Sequence, residues 1–155
     1  MTHVIKTLED AKALEGKEIG VSEWIVIDQD RINKFADATD DHQWIHTDPE
    51  RAARELPLGT TIAHGYLTLS LIPALIEDVV QFEGLQRLIN YGLNKVRFRS
   101  MVPAGARVRL RTTLQSAKKR AGALQAVMDC SIEMEGEARP VASAEVIVMY
   151  FLAGV

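Results

Sequence analysis

The feature that most restricts the fold is one long apolar run, "IAHGYLTLSLIPALIEDVVQF", at residues 62–82. The run is too long for an ordinary strand. Apolar residues fall on nearly every face that a helix would have, so we predict a helix that is buried all round. From His64 to Val80 this helix would extend roughly 25 Å, at about 1.5 Å per residue. Pro73 removes one backbone hydrogen bond inside the run, which predicts a kink.

The sequence that follows changes to a period of two, which is typical of strands with one buried face. Apolar residues alternate with arginines over residues 106–114, and a second alternating stretch covers residues 124–134. Residues 93–102 predict another strand, and residues 140–152 predict a strand that is buried on both sides. We therefore predict one α+β domain over residues 1–155, in which a curved antiparallel sheet wraps around one long central helix.

Shorter elements are predicted before the apolar run. Thr7 begins a short helix that Gly16 ends, and residues 18–27 mix isoleucine, valine and tryptophan as a strand does. Asp28 is a favourable N-cap for a helix, and Pro49 stands at the favoured first position of another.

Composition excludes several functional classes. A net charge of −3 lacks the basic footprint of a nucleic-acid-binding protein. Cys130 is the single cysteine, so no intrachain disulfide forms. The first twenty residues carry no signal-peptide-like apolar core, and no run is apolar enough to span a membrane. We therefore expect a cytoplasmic protein. The alternating arginines of residues 107–111 are either a phosphate-binding stripe or, more commonly, a solvated strand face.

The segment "ATDDHQWIHTDPERA", residues 38–52, is the first candidate site. Asp41 and His46 are five positions apart, with apolar residues between them that suggest a turn toward the interior. A carboxylate and an imidazole in a partly dry cleft are the groups needed to hold and activate a water molecule. The alternative is a capped helix end with a surface histidine.

A metal site is a second interpretation of the same segment. His42 and His46 have four-residue spacing, and Asp41 or Asp48 would complete a set of two histidines and one carboxylate. Such a pair converges only on a helix, whereas Pro49 and the acidic cluster indicate irregular backbone.

The start of the apolar run is the second candidate site. Gly65 stands in the first turn of the predicted helix, although glycine is a poor helix former. Either a ligand approaches an unpaired N–H there, where the helix N-terminus stabilises negative charge on a carbonyl oxygen, or the helix packs tightly against the sheet. Ser70 is either a site residue or a hydroxyl that bonds back to its own helix.

Together these segments resemble a known family. Residues 35–52, "FADATDDHQWIHTDPERA", resemble the hydratase 2 signature of the MaoC-like dehydratases, the (R)-specific enoyl-CoA hydratases. Asp41 and His46 fall on the catalytic aspartate and histidine of that signature. Gln43 and Trp44 replace the usual Asn-Pro pair, as in the subgroup named after nodulation protein N.

The resemblance extends over roughly residues 17–150. "AHGYLTLS", residues 63–70, matches the His-Gly that begins the central helix and the helix serine, which implies substrate-binding roles for His64, Gly65, Tyr66 and Ser70. One departure is Asp40, where the family usually has glycine.

The resemblance implies a hot-dog fold, a homodimer and a lyase of fatty-acid metabolism. The implied substrate is an acyl-CoA or acyl-carrier-protein thioester. The implied reaction is reversible hydration of a trans-2-enoyl thioester to the (R)-3-hydroxyacyl thioester, with coenzyme A only as part of the substrate and with no metal or redox cofactor. Two alternatives stay open: a hot-dog acyl-CoA thioesterase and a non-catalytic acyl-thioester binding module.

Overall fold

The computed structural model describes residues 2–153 and residue 155. Within these residues the chain forms eight strands and six helices. In chain order they are β1 (His3–Ile5), α1 (Leu8–Ala13), β2 (Lys17–Val21), β3 (Ile25–Ile27), α2 (Gln29–Thr39), α3 (Trp44–Thr47), α4 (Pro49–Glu55), α5 (Gly65–Ser70), α6 (Ile72–Ile76), β4 (Val80–Phe82), β5 (Leu85–Phe98), β6 (Ala106–Arg120), β7 (Ala123–Met134) and β8 (Ala142–Leu152).

The large sheet has the strand order β2-β6-β7-β8-β5, and β3 also pairs with β6. All of these pairings are antiparallel. The predicted alternation is confirmed on β6 and β7, because the apolar positions of both strands point into the core. The buried members are Val108, Leu110, Thr112, Leu114, Leu124, Ala126, Met128, Cys130 and Ile132.

The central helical segment is shorter than predicted. The helix pauses at Leu71, between α5 and α6, and Pro73 lies in the first turn of α6, where a missing N–H costs little. The helix is therefore interrupted two residues before Pro73, the residue at which the sequence predicts a kink. The extension to Val80 is wrong: Val80–Phe82 forms β4, which pairs in parallel with His3–Ile5.

Burial all round the central helix is also wrong for the single chain. Tyr66, Ser70, Pro73 and Glu77 recur at helical spacing and are exposed. The sheet covers the opposite face. The buried residues of that face are Leu67, Leu71, Ile72, Leu75 and Ile76. One sheet layer can cover only one side of a helix, so within the described residues the outward face stays exposed, with Tyr66 as its large hydrophobic side chain.

The helix starts predicted before the apolar run are confirmed. Thr7 and Asp28 accept backbone N–H groups as N-caps, and Pro49 begins α4. The single strand predicted at residues 18–27 is instead two strands, β2 and β3, both paired with β6. Ser22 lies between them, and its hydroxyl accepts the Leu110 N–H, which bridges the interruption.

β5 and β8 both differ from the strands predicted at residues 93–102 and 140–152. β5 begins eight residues before the predicted start and is exposed along nearly its whole length. β8 was predicted to be buried on both sides, but its burial alternates except at Val148–Tyr150. Among the described residues β5 borders only β8 and is an edge strand of the sheet, whereas β8 has strands on both edges.

The arginine face of β6 is a set of ion pairs. Arg109 and Arg111 both contact Glu133, at 2.7 and 2.6 Å, and Arg107 contacts Glu135 at 3.0 Å. These partners support the solvated-face alternative over a phosphate-binding stripe. Among the helices of the described residues, none has the length and apolarity needed to cross a membrane.

Candidate active site

The Asp41 segment begins at a tight reversal of the chain. Asp40 is the C-cap of α2 and adopts the left-handed conformation, with φ 60° and ψ 19°. Glycine is the residue that takes this conformation most readily, which gives a physical reason for the family's preference at this position. The reversal leaves Asp41 exposed and leads directly into the short helix α3, which carries His46 into the interior.

His46 is 7% exposed, and its ring is fixed by one short hydrogen bond. Its Nδ1 lies 2.6 Å from the Ile62 carbonyl oxygen. A carbonyl only accepts, so Nδ1 carries the proton and Nε2 of the neutral ring is a free acceptor. The Ile62 N–H in turn donates to the Ile45 carbonyl at 3.0 Å, which ties the Asp41 segment to the strand-like approach to α5.

His64 stands behind His46 and is 2% exposed. The two imidazoles are stacked, with centroids 3.8 Å apart and planes 23° from parallel. His64 Nε2 donates to the Asp41 backbone carbonyl at 3.0 Å, and its buried Nδ1 has no hydrogen-bond partner within the described residues. Phe35 packs against the same ring at a centroid distance of 4.9 Å.

The structure therefore brings together Asp41, His46 and His64, whose carboxylate oxygen and ring nitrogens lie within 4.8 Å of one another. His42, the partner of His46 in the metal interpretation, is exposed and 3.8 Å from Asp37. A bound metal lies close to the plane of each imidazole that ligates it, with a metal–nitrogen distance of about 2 Å. Because the two stacked planes are nearly parallel, they do not meet at that distance, and this arrangement does not fit a shared metal.

A cavity of about 330 Å³ opens beside this group. His46 and Gly65 both contribute to its wall, so the second candidate site joins the first. The remaining wall is mostly apolar, with Arg99 as its cation. The other lining residues are Ile62, Ala63, Thr68, Phe98, Ser100, Met101, Val102, Val141 and Ala142.

Gly65 is the first residue of α5, so its N–H has no acceptor within its own helix. The packing alternative also has a partner: a Cβ built on Gly65 would lie 3.0–3.2 Å from three ring atoms of Phe98. Gly65 therefore has both an unpaired N–H and a close packing partner.

Tyr66 and Ser70 lie on the outward face of α5. Tyr66 is 70% exposed and meets Phe98 edge-on at a centroid distance of 5.9 Å. The Ser70 hydroxyl donates to the Tyr66 carbonyl at 2.6 Å, which is the back-bond given as its alternative. A role for either residue at the substrate stays a prediction.

Burial lowers the pKa of His46, and the neighbouring His64 lowers it further. The Ile62 hydrogen bond and the Asp41 carboxylate act in the opposite direction. The balance favours a neutral ring near neutral pH, as a water-binding acceptor requires.

Sequence reasoning missed two contributors to the site. Gln29 donates to the His46 carbonyl at 2.7 Å and accepts from the Thr61 hydroxyl, so it joins the two candidate segments. Phe98 covers Gly65 from β5. Neither belongs to a local motif, and the only available signal for Gln29 was a polar side chain in the first turn of α2.

Comparison of the sequence with known proteins finds a matching family and similar proteins. Residues 10–135 match the family described as MaoC like domain. The 3-hydroxyacyl-thioester dehydratase Z of Mycobacterium tuberculosis is 48% identical over 146 residues, which cover 94% of this chain and 96% of that protein. Nodulation protein N of Rhizobium meliloti is 45% identical over 145 residues, which cover 89% of this chain and 87% of that protein.

Solved structures show the same architecture. R-hydratase PhaJ1 from Pseudomonas aeruginosa aligns with a TM-score of 0.70 at 23% identity, covering 88% of this chain and 81% of that chain. The (R)-hydratase from A. caviae involved in PHA biosynthesis aligns with a TM-score of 0.65 at 21% identity, covering 83% of this chain and 95% of that chain.

Proposed function

Because this chain belongs to the MaoC-like dehydratase family, we propose that it hydrates trans-2-enoyl thioesters reversibly to (R)-3-hydroxyacyl thioesters. The family is the one that the sequence predicted, and it makes the protein a lyase of the hydratase and dehydratase class. The hot-dog fold implied by the resemblance is confirmed by the structural neighbours.

One observation carries the proposal: His46, with an unprotonated Nε2, lines the cavity and lies beside the Asp41 carboxylate. These two groups are suited to hold one water molecule between them. Asp41 acts mainly as the base that takes a proton as the water oxygen bonds to C3. The His46 Nε2 accepts a hydrogen bond from the same water and holds it in place. The proton that Asp41 has taken passes on to C2, so that one water adds across the double bond, its hydroxyl group to C3 and its other proton to C2.

Charge on the thioester oxygen needs a donor as the water adds. The Gly65 N–H is free of its own helix and belongs to the cavity wall, which suits that role. Because α5 has only six residues, we attribute the stabilisation to the local N–H rather than to a long helix dipole.

The name of the Mycobacterium tuberculosis relative supports a thioester substrate. The carrier that we propose is either coenzyme A or an acyl carrier protein, as the resemblance implies. Coenzyme A then enters as part of the substrate. The proposed proton transfers use only Asp41, His46 and water, so they require no metal or redox cofactor.

We also propose a homodimer formed through β5. Within the described part of the chain this strand pairs only with β8, and an unpaired apolar edge favours association. Its exposed apolar side chains are Leu85, Leu88, Ile89, Tyr91, Leu93 and Phe98.

The decisive experiment mixes the purified protein with crotonyl-CoA and follows both enoyl absorbance and free thiol. Hydration removes the absorbance without releasing thiol. Release of thiol would instead identify a thioesterase, whose water attacks the carbonyl carbon. Binding without either change would identify a non-catalytic binding module.

A further inference from the structure

We propose that His64 is a positioning residue, which holds His46 and the Asp41 backbone in the geometry for hydration and does not itself bind the substrate. The inference deepens the proposed function and rests on it. It changes the role that the sequence resemblance implied for His64.

The location of His64 is the first argument. Its neighbours in sequence, Ala63 and Gly65, both line the cavity, but the His64 side chain does not belong to the cavity wall. The ring is 2% exposed, stacks on the ring of His46 and also packs against the ring of Phe35. A substrate in the cavity therefore meets His46 and Gly65, and His64 acts through them.

The hydrogen bond to Asp41 is the second argument. Since the Asp41 carbonyl only accepts, His64 must carry a proton on Nε2. The bond fixes the backbone of the residue whose carboxylate is the proposed base. The other bonds that hold this segment act further along, at Ile45 and His46, whereas the His64 bond holds Asp41 itself.

The stack on His46 is the third argument. The Ile62 hydrogen bond fixes one edge of the His46 ring, but rotation about that bond remains. The face-to-face contact with His64, at 3.8 Å, fixes the plane of the ring as well. Together the two contacts aim the free Nε2 in one direction. A shift of about 1 Å in such a group can slow catalysis about 100-fold.

The unpartnered Nδ1 of His64 raises the question of why this buried position holds a histidine and not a phenylalanine. A buried acceptor without a partner costs stability. Phenylalanine would give a similar stack on His46 and would avoid that cost. The imidazole is therefore explained by the Nε2–H donor that phenylalanine lacks, and the two contacts of His64 can be separated by mutation.

Two variants make that separation. His64→Phe keeps a stacked ring and loses the donor to Asp41, whereas His64→Gln keeps a donor near the position of Nε2 and loses the ring. We expect both to lower kcat for crotonyl-CoA by about 10-fold to 100-fold at nearly unchanged KM. His42→Gln, which changes the exposed histidine of the same segment, should leave both constants near wild type.

A raised KM with normal kcat would make His64 a substrate contact and would overturn the proposal. Normal values of both constants would overturn it too. Circular dichroism and melting temperature establish that each variant is folded. Failure of both variants to fold would also count against the proposal, because His64 would then serve general packing.

A measurement that does not use activity separates this proposal from the proposed function. Nitrogen NMR of the His46 ring should show the single Nδ1–H tautomer in the wild type and averaged nitrogen shifts in His64→Gln. Unchanged His46 shifts in both variants would overturn the positioning role. An inactive wild type with these NMR changes would instead reject hydration while leaving the positioning role in place.

Discussion

The histidine pair and the edge strand β5 differ in how far the rest of the chain covers them. His46 and His64 are buried and fixed by contacts within one chain, through the carbonyl groups of Ile62 and Asp41. β5, and Tyr66 on the outward face of α5, by contrast, present apolar side chains that stay exposed among the residues that the structure describes. The comparison teaches that one chain orders the chemical groups by itself, while the exposed apolar surface of β5 is what the homodimer proposed above would cover. The predictions below test the two regions against each other.

The largest effect is expected at the two reacting groups. Asp41→Asn removes the base with little change of shape, and His46→Gln removes the free imidazole nitrogen. We expect each variant to lose hydration by about 100-fold or more, the scale of one positioned acid–base group. Steady-state assays with crotonyl-CoA measure the loss, and a matching melting temperature shows that the fold of Asp41→Asn is intact. Near-normal turnover in Asp41→Asn would reject its role as base.

Gly65 lies where the two regions meet, because its Cα faces the Phe98 ring of β5. Gly65→Val should lower turnover by about 100-fold, the scale of one lost oxyanion donor, if its N–H meets the thioester oxygen. It should also lower the melting temperature, because the new side chain collides with Phe98. Helix propensity alone would have predicted little cost.

The double variant Gly65→Val with Phe98→Ala separates these causes. Removing the ring makes space for the valine, so the melting temperature should rise above that of Gly65→Val. Turnover should stay well below that of Phe98→Ala alone, since the N–H remains covered. Recovery of turnover to the level of Phe98→Ala would show that Gly65 serves packing and not charge stabilisation.

A charge placed on the exposed apolar surface of β5 should weaken the association of the protein into dimers. Leu93→Asp places a carboxylate on β5, where Leu93 is 46% exposed. We expect the wild type to be a dimer at micromolar concentration and the variant to be a monomer with a mass near 17.2 kDa. Light scattering measures both. Val26→Asp is the matched control, because Val26 is 47% exposed on β3, outside this region. Equal masses for the two variants would contradict an interface at β5.

The same comparison explains how far the sequence predicts the molecule. Alternation identified the buried faces of β6 and β7, because each residue there meets the core of its own chain. The pairing of Asp41 with His46 followed from one short motif. The stack of His46 on His64 joins residues eighteen positions apart, and no periodicity signals it. The burial predicted all round the central helix failed because hydrophobicity does not reveal whether its partner is the same chain or another one.

The smallest effect is expected at Asp40, which belongs to the histidine region through its backbone alone. A left-handed conformation costs an L-residue roughly 1–2 kcal/mol, and aspartate tolerates it better than most. Asp40→Gly should therefore stabilise the fold by at most about 1 kcal/mol, which corresponds to a rise of at most about 2–4 °C in melting temperature. Ala121→Gly is the matched control, because Ala121 has φ 49° in the β6–β7 turn, far along the chain from the site. Both variants should gain stability, and both should keep the wild-type kcat, since the Asp40 carboxylate is exposed and has no place in the proposed proton transfers.

A change of kcat in Asp40→Gly that is absent from Ala121→Gly would show that the second carboxylate acts on Asp41. Asp40→Asn, which removes that charge and keeps an L-residue, would then reproduce the change.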